Sequence, residues 1–324
     1  MALGSNQVTT SVANNFIPEL WSDEVIGAYK SNLVVANLVN KLSHKGKKGD
    51  TIYIPVPARG AASAKAANTQ VTLSAATNTA VTVSINKHYE YSKLIEDIAE
   101  VQALASMRKF YTDDAGYALA KQVDTDLVTL WEGFQAGTVG GSTTAAWEKA
   151  YIGSTGASFY TGNSSNAADI TDAGIRALIL KLDDADVPMD NRAMVVPPIA
   201  ANDMLGINRF TEQQYIGSGD AIKTGKIGMI YGCDVYISSN CPTTTTASTA
   251  TDRVGCLFHK DALCLAEQVG VRSQTQYKQE YLGDLFTSDT IYGVAELRDD
   301  AGVAFVVPRS EERRVGKECR SRWS

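Results

Sequence analysis

The chain has 324 residues, of which 44% are hydrophobic and 20% charged, with a formal net charge of -6. That is enough apolar material for one large domain or two ordinary ones, and it excludes a chain disordered throughout. The acidic balance offers no overall basic field for wrapping nucleic acid, and no apolar run approaches the ~20 residues of a membrane-spanning helix.

Residues 1–15 are polar and read as an arm, without the basic and apolar regions of a signal peptide. Ser22 is placed to cap a helix whose apolar side carries Val25, Ile26 and Tyr29, with Trp21 as a bulky anchor before it. A second helical turn is expected around Val34 to Val39. LSHKGKKGD, from Leu42, is a turn by composition. TIYIPVP then alternates, with Ile52, Ile54 and Val56 on one face and Tyr53 opposite. Pro55 and Pro57 confine this run to an edge or exposed strand, because proline has no N–H to give a ladder. Val81, Val83 and Ile85 alternate again. The two runs predict a long β-hairpin with a polar tip, marginal alone and suited to being covered by a neighbour.

From Glu90 the period changes. Leu94, Ile98 and Val101 begin a helical stripe, and Ala115, Leu119, Val123, Leu127 and Leu130 continue one. A helix from Arg108 to Phe134 would be about 40 Å long. Asp113 and Asp114 mark either a fresh helix start or the wet side of one continuous helix. Residues 136–168, rich in small polar side chains, read as a surface loop. Asp172 is expected to cap a helix through Ile175, Leu178, Ile179 and Leu182. ADVP ends it, and MVV forms a buried strand stopped at Pro197–Pro198, with a short helix near Ala200 to Leu205. GMIYGCDVYIS predicts a hairpin turning near Gly232. RVGCLFHKDALCLAEQ predicts a strand passing into a short helix, and the remainder reads as strands separated by GD and DDAG turns. The sum is an α+β chain with no regular βαβ repeat.

Residues 309–324, RSEERRVGKECRSRWS, resemble the in-frame translation of a common sequencing adapter and are set apart from the fold. The alternative is a genuine basic tail that binds nucleic acid or membrane. Without them four cysteines remain, Cys233, Cys241, Cys256 and Cys264. A chain of this size needs no disulfide staples, so reduced thiols in a cytoplasmic setting are expected.

Reactive constellations are near misses. Of the histidines, His44 lies in a basic turn and His88 in a strand, both read as exposed or packed. Cys256, His259 and Cys264 form a partial zinc set without a fourth ligand, which favours packing. SGDAIKTGKIG invites a phosphate-loop reading, but five residues separate Gly219 from Gly225 and Ile227 follows Lys226, where a hydroxyl is required. Asp183, Asp184 and Asp186 could hold Mg²⁺ or do acid–base work, yet no Gly-containing calcium loop follows and solvated or intersubunit charges are the expectation. No nucleophile elbow occurs. Lys45, Lys47 and Lys48 could touch an acidic neighbour or DNA, or be a solvated turn. No catalytic, cofactor-binding or metal residue is assigned.

Several runs in fixed order carry a resemblance: IPELWSDEV, SKLIEDI, LDDADVP–NR–MVVPP, TGKIGMIYGCDVYISSN, FHKDALCLAEQ and TSDTIYGVAELRDDAGVAFVV. Together they span nearly all of Phe16 to Pro308 and resemble the major capsid proteins of tailed bacteriophages, with the Hong Kong 97-type fold. The resemblance implies an N-terminal arm over residues 1–44, an extended β-hairpin loop over 45–91, and a peripheral domain with a long spine helix and surface loop over 92–170. It further implies an axial domain over 171–289 and a return strand of the peripheral domain over 290–308. The implied function is a structural, non-enzymatic coat protein that assembles as hexamers and pentamers into an icosahedral head around double-stranded DNA. Implied partners are other copies, a portal protein and DNA held by weak non-specific contact, with assembly in host cytoplasm and residence in the virion. Because the fold-like sequence begins near Phe16, a separate scaffolding protein and no large N-terminal cleavage are expected. Rival readings are an extracellular surface-layer or adhesin-like protein, favoured by Thr/Ser/Ala-rich strands, and a hydrolase or nucleotide-binding enzyme.

Overall fold

The computed structural model describes residues 34–44, 49–57, 62, 64–71, 78–98, 107–134, 147–161, 166–207, 228–244 and 252–308. The expectations placed on Trp21, Ser22, Lys45, Lys47, Lys48, residues 218–227 of the SGDAIKTGKIG run and the 309–324 tail lie outside these residues.

A six-stranded sheet holds the larger core. Its order is β5 (Tyr151–Ile152), β12 (Gly302–Val307), β9 (Arg253–His259), β6 (Arg192–Val196), β8 (Cys233–Ile237) and β7 (Met229–Ile230). Every residue of β6 and β12 is buried, which is why both read as continuous apolar runs rather than alternating ones. Among the described residues the helical segments include, in chain order, α1 (Val35–Leu38), α2 (Met107–Thr129), α3 (Asp172–Asp184) and α4 (Pro198–Leu205). Ile175, Leu178 and Leu182 of α3 pack with Met194, Phe258 and Phe305 in one cluster that also takes Trp131.

The helix start at α3 differs from expectation by one residue. Thr171, not Asp172, is the cap: its extended backbone lets Oγ1 accept the Gly174 N–H at 3.1 Å and donate to the Ser154 carbonyl at 2.6 Å. Asp172 instead sits in the first turn, where its charge suits the helix dipole, and pairs with Arg176 at 3.1 Å. The helix ends in a Schellman motif. Asp186 is left-handed (φ 55°), its N–H donates to Asp183 O, and Val187 N–H donates to Leu182 O. The two prolines that end β6 also begin α4, with Pro197 at the cap and Pro198 in its first turn. The Gly232 hairpin forms as expected, with positive φ at both Tyr231 and Gly232.

A four-stranded sheet, ordered β1 (Asn40–Ser43), β10 (Leu263–Lys278), β11 (Gly283–Glu296) and β4 (Lys87–Glu96), lies under α2. Two expectations fail here. LCLAEQ is not helical: after a single 3-10 turn over Lys260–Ala262 it opens the long strand β10. Extended alternation is what lets Leu263 enter the large core while Cys264 and Ala266 enter a second, smaller one. Leu94 likewise belongs to β4, not to a helical stripe; β4 pairs antiparallel with β11 from Lys87↔Tyr292 to Glu96↔Gly283. Its tyrosines suit a pleated surface, and Tyr89 stacks on Tyr292 at 6.0 Å. The long helix stands as expected. α2 spans 23 residues, roughly 35 Å, and runs through Asp113 and Asp114 unbroken before tightening to a 3-10 turn at Leu130–Gly133. Strand β11 crosses positions 289 and 290 without interruption, and β12 joins the sheet that carries β6, β8 and β9.

The predicted hairpin is a separate two-stranded ribbon, β2 (Thr51–Pro57) and β3 (Asn78–Ser84), in register from Thr51↔Ser84 to Pro57↔Asn78. Among the described residues no helix is long and apolar enough to cross a membrane.

Candidate functional site

The ribbon is the feature a single folded chain uses least. At its root, Val83 and Ile85 are buried with Cys264 and Ala266, and Ile52, Ile54, Leu42, Ile291 and Ala295 pack against them. This is a small core shared by the ribbon and one face of the four-stranded sheet. Outward from it the ribbon loses cover: Tyr53 is 69% exposed, and Val56 faces the end of α3 and residues Leu297 to Ala301 across an open crevice of about 440 Å³. Pro55 and Pro57 sit opposite Ala80 and Asn78, and neither offers an N–H to a further strand. Tyr281 and Leu282, at the turn between β10 and β11, are exposed as well, as is Tyr277 nearby. The GD signal at Gly283–Asp284 marks this turn in the sequence, but nothing in YLGD signals that Tyr281 and Leu282 are left exposed.

The described chain begins with a tether onto α2. Asp124, fully buried, accepts the Ala36 N–H at 3.2 Å and an Asn240 Nδ2–H at 3.3 Å, and also holds the Val35 N–H. Burial pushes its carboxyl up from the ordinary value, while the bonds from Asn240, Ala36 and Val35 pull the other way. Val35 and Val39 are buried beside it, so residues 34–39 are fixed by one distant carboxylate and two apolar plugs.

The cysteines, histidines and Asp183 are engaged in packing, hydrogen bonds or ion pairs. Cys256 is buried in the large core and Cys264 in the small one; burial raises both thiols, Cys264 to about 11. His259 Nδ1 accepts the Asp261 N–H at 3.2 Å, closing the 3-10 turn. Cys233 and Cys241 are also buried and free, with Cys241 raised to about 12 by the same cause. His88 meets Asp289 at 3.2 Å, and Arg272 grips the same carboxylate in two bonds of 2.7 and 2.8 Å. That grip lowers Asp289, against its burial and with help from His88. His44 follows β1, its N–H donating to Glu267 O. Asp183 corrects the expectation of a solvated or intersubunit charge, since it pairs with the buried Arg192 at 2.7 Å. Among the described residues no group of His, Cys, Asp or Glu could hold a metal ion.

Burial of Glu296, followed by repulsion from and hydrogen bonding with Asp299, raises its carboxyl from 4.5 to about 7, opposed by Lys149. A raised acid is easier to protonate folded than unfolded. Its stabilisation is therefore complete below about 4.5 and lost as pH rises to about 7. Thermal melts from pH 4 to 8 should show that loss in the parent chain and a flatter profile in Glu296→Gln; parallel profiles would contradict it.

A family model described as phage capsid protein matches residues 34–304, most of the chain, from α1 into β12. No protein of curated function matches the sequence. Among solved structures, a chain from Mycobacterium phage Che8 is similar at 25% identity and TM-score 0.72, over 90% of this chain and 97% of that one. The capsid of cyanophage P-SCSP1u is similar at 19% identity and TM-score 0.73, over 95% of this chain and 97% of that one. A capsid structure of the Helicobacter pylori bacteriophage KHP30 is similar at 13% identity and TM-score 0.71, over 95% of this chain and all of that one. These structures share the overall fold of this chain, the Hong Kong 97-type fold that the sequence resemblance implies. The chain belongs to the phage capsid protein family, and its work is structural.

Proposed function

We propose that copies of this chain assemble as hexamers and pentamers into the icosahedral head of a tailed phage, enclosing double-stranded DNA. The observation that carries the reading is the ribbon, rooted in a small core yet uncovered beyond it. Its outer face is poorly used by one chain and well used by a neighbour, and many modest overlaps become strong together in a closed shell. On this reading the ribbon is the extended loop, α2 the spine helix of the peripheral domain, and α3, β6 and α4 part of the axial domain. A separate scaffolding protein and a portal protein are the partners of assembly in host cytoplasm. Contact with DNA is electrostatic and without sequence preference.

Expression of residues 1–308, with and without a co-encoded scaffold, tests this by electron microscopy. Closed shells, tubes or capsomers are expected; a persistent monomer that turns over a substrate would sink the reading. Deleting residues 58–70 at the ribbon's outer end should abolish closed shells while leaving the melting temperature of the unassembled chain within a few degrees. Equal loss of both would make that segment part of the core.

A further inference from the structure

The ribbon leaves the body through two unequal connections. Residues 44–50 link β1 to β2, whereas only Ile85 and Asn86 separate β3 from β4. The shorter link decides the ribbon's direction, because a small rotation there redirects the whole strand pair. Lys87, the first residue of β4, stands at that link. Its Nζ lies 3.1 Å from Asp126 Oδ2 on α2, and the same oxygen accepts the Tyr292 hydroxyl at 2.7 Å. Asp126 is 7% exposed, and its other oxygen accepts Gln122 Nε2–H at 3.1 Å.

The neighbouring residue on β11 serves the opposite side. Successive strand residues face opposite surfaces, so Tyr292 points to α2 and Gly293 to the ribbon. A β-carbon on Gly293 would overlap the Ser84 carbonyl oxygen and lie 3.0 Å from Ile85 Cα, so the ribbon's backbone rests directly on this glycine. One strand thus seats the ribbon on one face and latches its outgoing chain on the other. Farther out, Val56 faces Ala185 to Val187 and Leu297 to Ala301 across the open crevice, and the ribbon's buried contacts lie at its root.

We propose that Lys87 is a positioning residue that sets the angle of the ribbon, acting through Asp126 and Tyr292 over the Gly293 seat. The latch holds the unassembled chain in one ribbon direction, so that successive copies meet at one curvature. This role rests on the assembly reading above, but the latch itself is measurable without assembly.

The test uses spin labels at Tyr53→Cys on the ribbon and Leu180→Cys on α3, both exposed, in the full chain carrying Cys319→Ser. Pulsed electron resonance on the unassembled chain should give one narrow distance distribution. Lys87→Met should broaden it at least twofold, Lys87→Arg should restore it, and Tyr292→Phe should broaden it to a lesser degree. In assembly reactions the Met variant should give shells of mixed diameter or open tubes. An unchanged narrow distribution in Lys87→Met overturns the proposal, as does a broad one in the parent chain. If Lys87→Met shows no cooperative melt, Tyr292→Phe decides alone, since it removes only a hydroxyl; no broadening there also overturns it. A parent chain that keeps a latch-dependent distribution yet never forms shells would count against the assembly reading and leave the latch standing.

Discussion

An Arg192→Met chain should be less stable than its parent by about 3 kcal/mol, from the loss of two buried hydrogen bonds of roughly 1.5–3 kcal/mol each given by a charged group. The side chain is almost completely buried, and it ties together the turn that joins α3 to β6. Nη2 donates to Val187 O at 2.6 Å, Nε donates to Pro188 O at 2.9 Å, and Nη1 pairs with Asp183 at 2.7 Å. Methionine fills much of the volume but leaves two carbonyls and a carboxylate without that partner. The lost bonds therefore set the cost, rather than a cavity. Asp183→Asn should cost much less, because Asp183 is partly exposed and the arginine keeps both carbonyls. Urea denaturation of the unassembled chains measures both. A loss below about 1 kcal/mol for Arg192→Met would show that the turn is held by Leu182 and Val187 packing instead.

Asp124→Ala should cost about 3 kcal/mol and detach the tether at residues 34–39. The estimate comes from charge-assisted hydrogen bonds of roughly 1.5–3 kcal/mol each, lost from inside the protein. Asp124→Asn is the informative partner. It keeps an acceptor for the Ala36 N–H, and because burial already pushes the Asp124 carboxyl up, losing the charge removes a desolvation cost. Hydrogen exchange at the Ala36 amide should accelerate strongly in the alanine variant and little in the asparagine variant. Equal protection in all three chains would mean that Val35 and Val39 hold the tether without the carboxylate.

The ribbon was legible because two local rules agree there, strict alternation and prolines that only an edge strand tolerates. The long helix was legible because its four-residue spacing persists beyond Leu119. The α3–β6 region was legible from helix, turn and proline signals, although the cap moved from Asp172 to Thr171. The failures share a cause. LCLAEQ has good helix formers, but Leu263 and Cys264 must enter different cores, and only an extended chain sends neighbours to opposite sides. Leu94 fitted a helical stripe until β11 paired with it. Tertiary pairing overrode local preference in both cases. The functional region was half legible. Its exposed ribbon follows from pattern, but the Lys87–Asp126–Tyr292 contact joins residues from three distant stretches, and no motif spacing encodes that. The Asp183–Arg192 pair is hidden in the sequence for the same reason, since the two residues meet across a turn whose geometry depends on a left-handed Asp186.

The four buried thiols have a practical consequence. Cys264 lies at the ribbon root, whereas Cys233, Cys241 and Cys256 lie in the large core, and burial raises all four above their ordinary value. A thiol reagent meets a reactive thiolate only when the surrounding packing opens. The molecule therefore carries two built-in reporters with separate clocks. Labelling at Cys264 times the lifting of the ribbon root, and labelling at the other three times the opening of the large core.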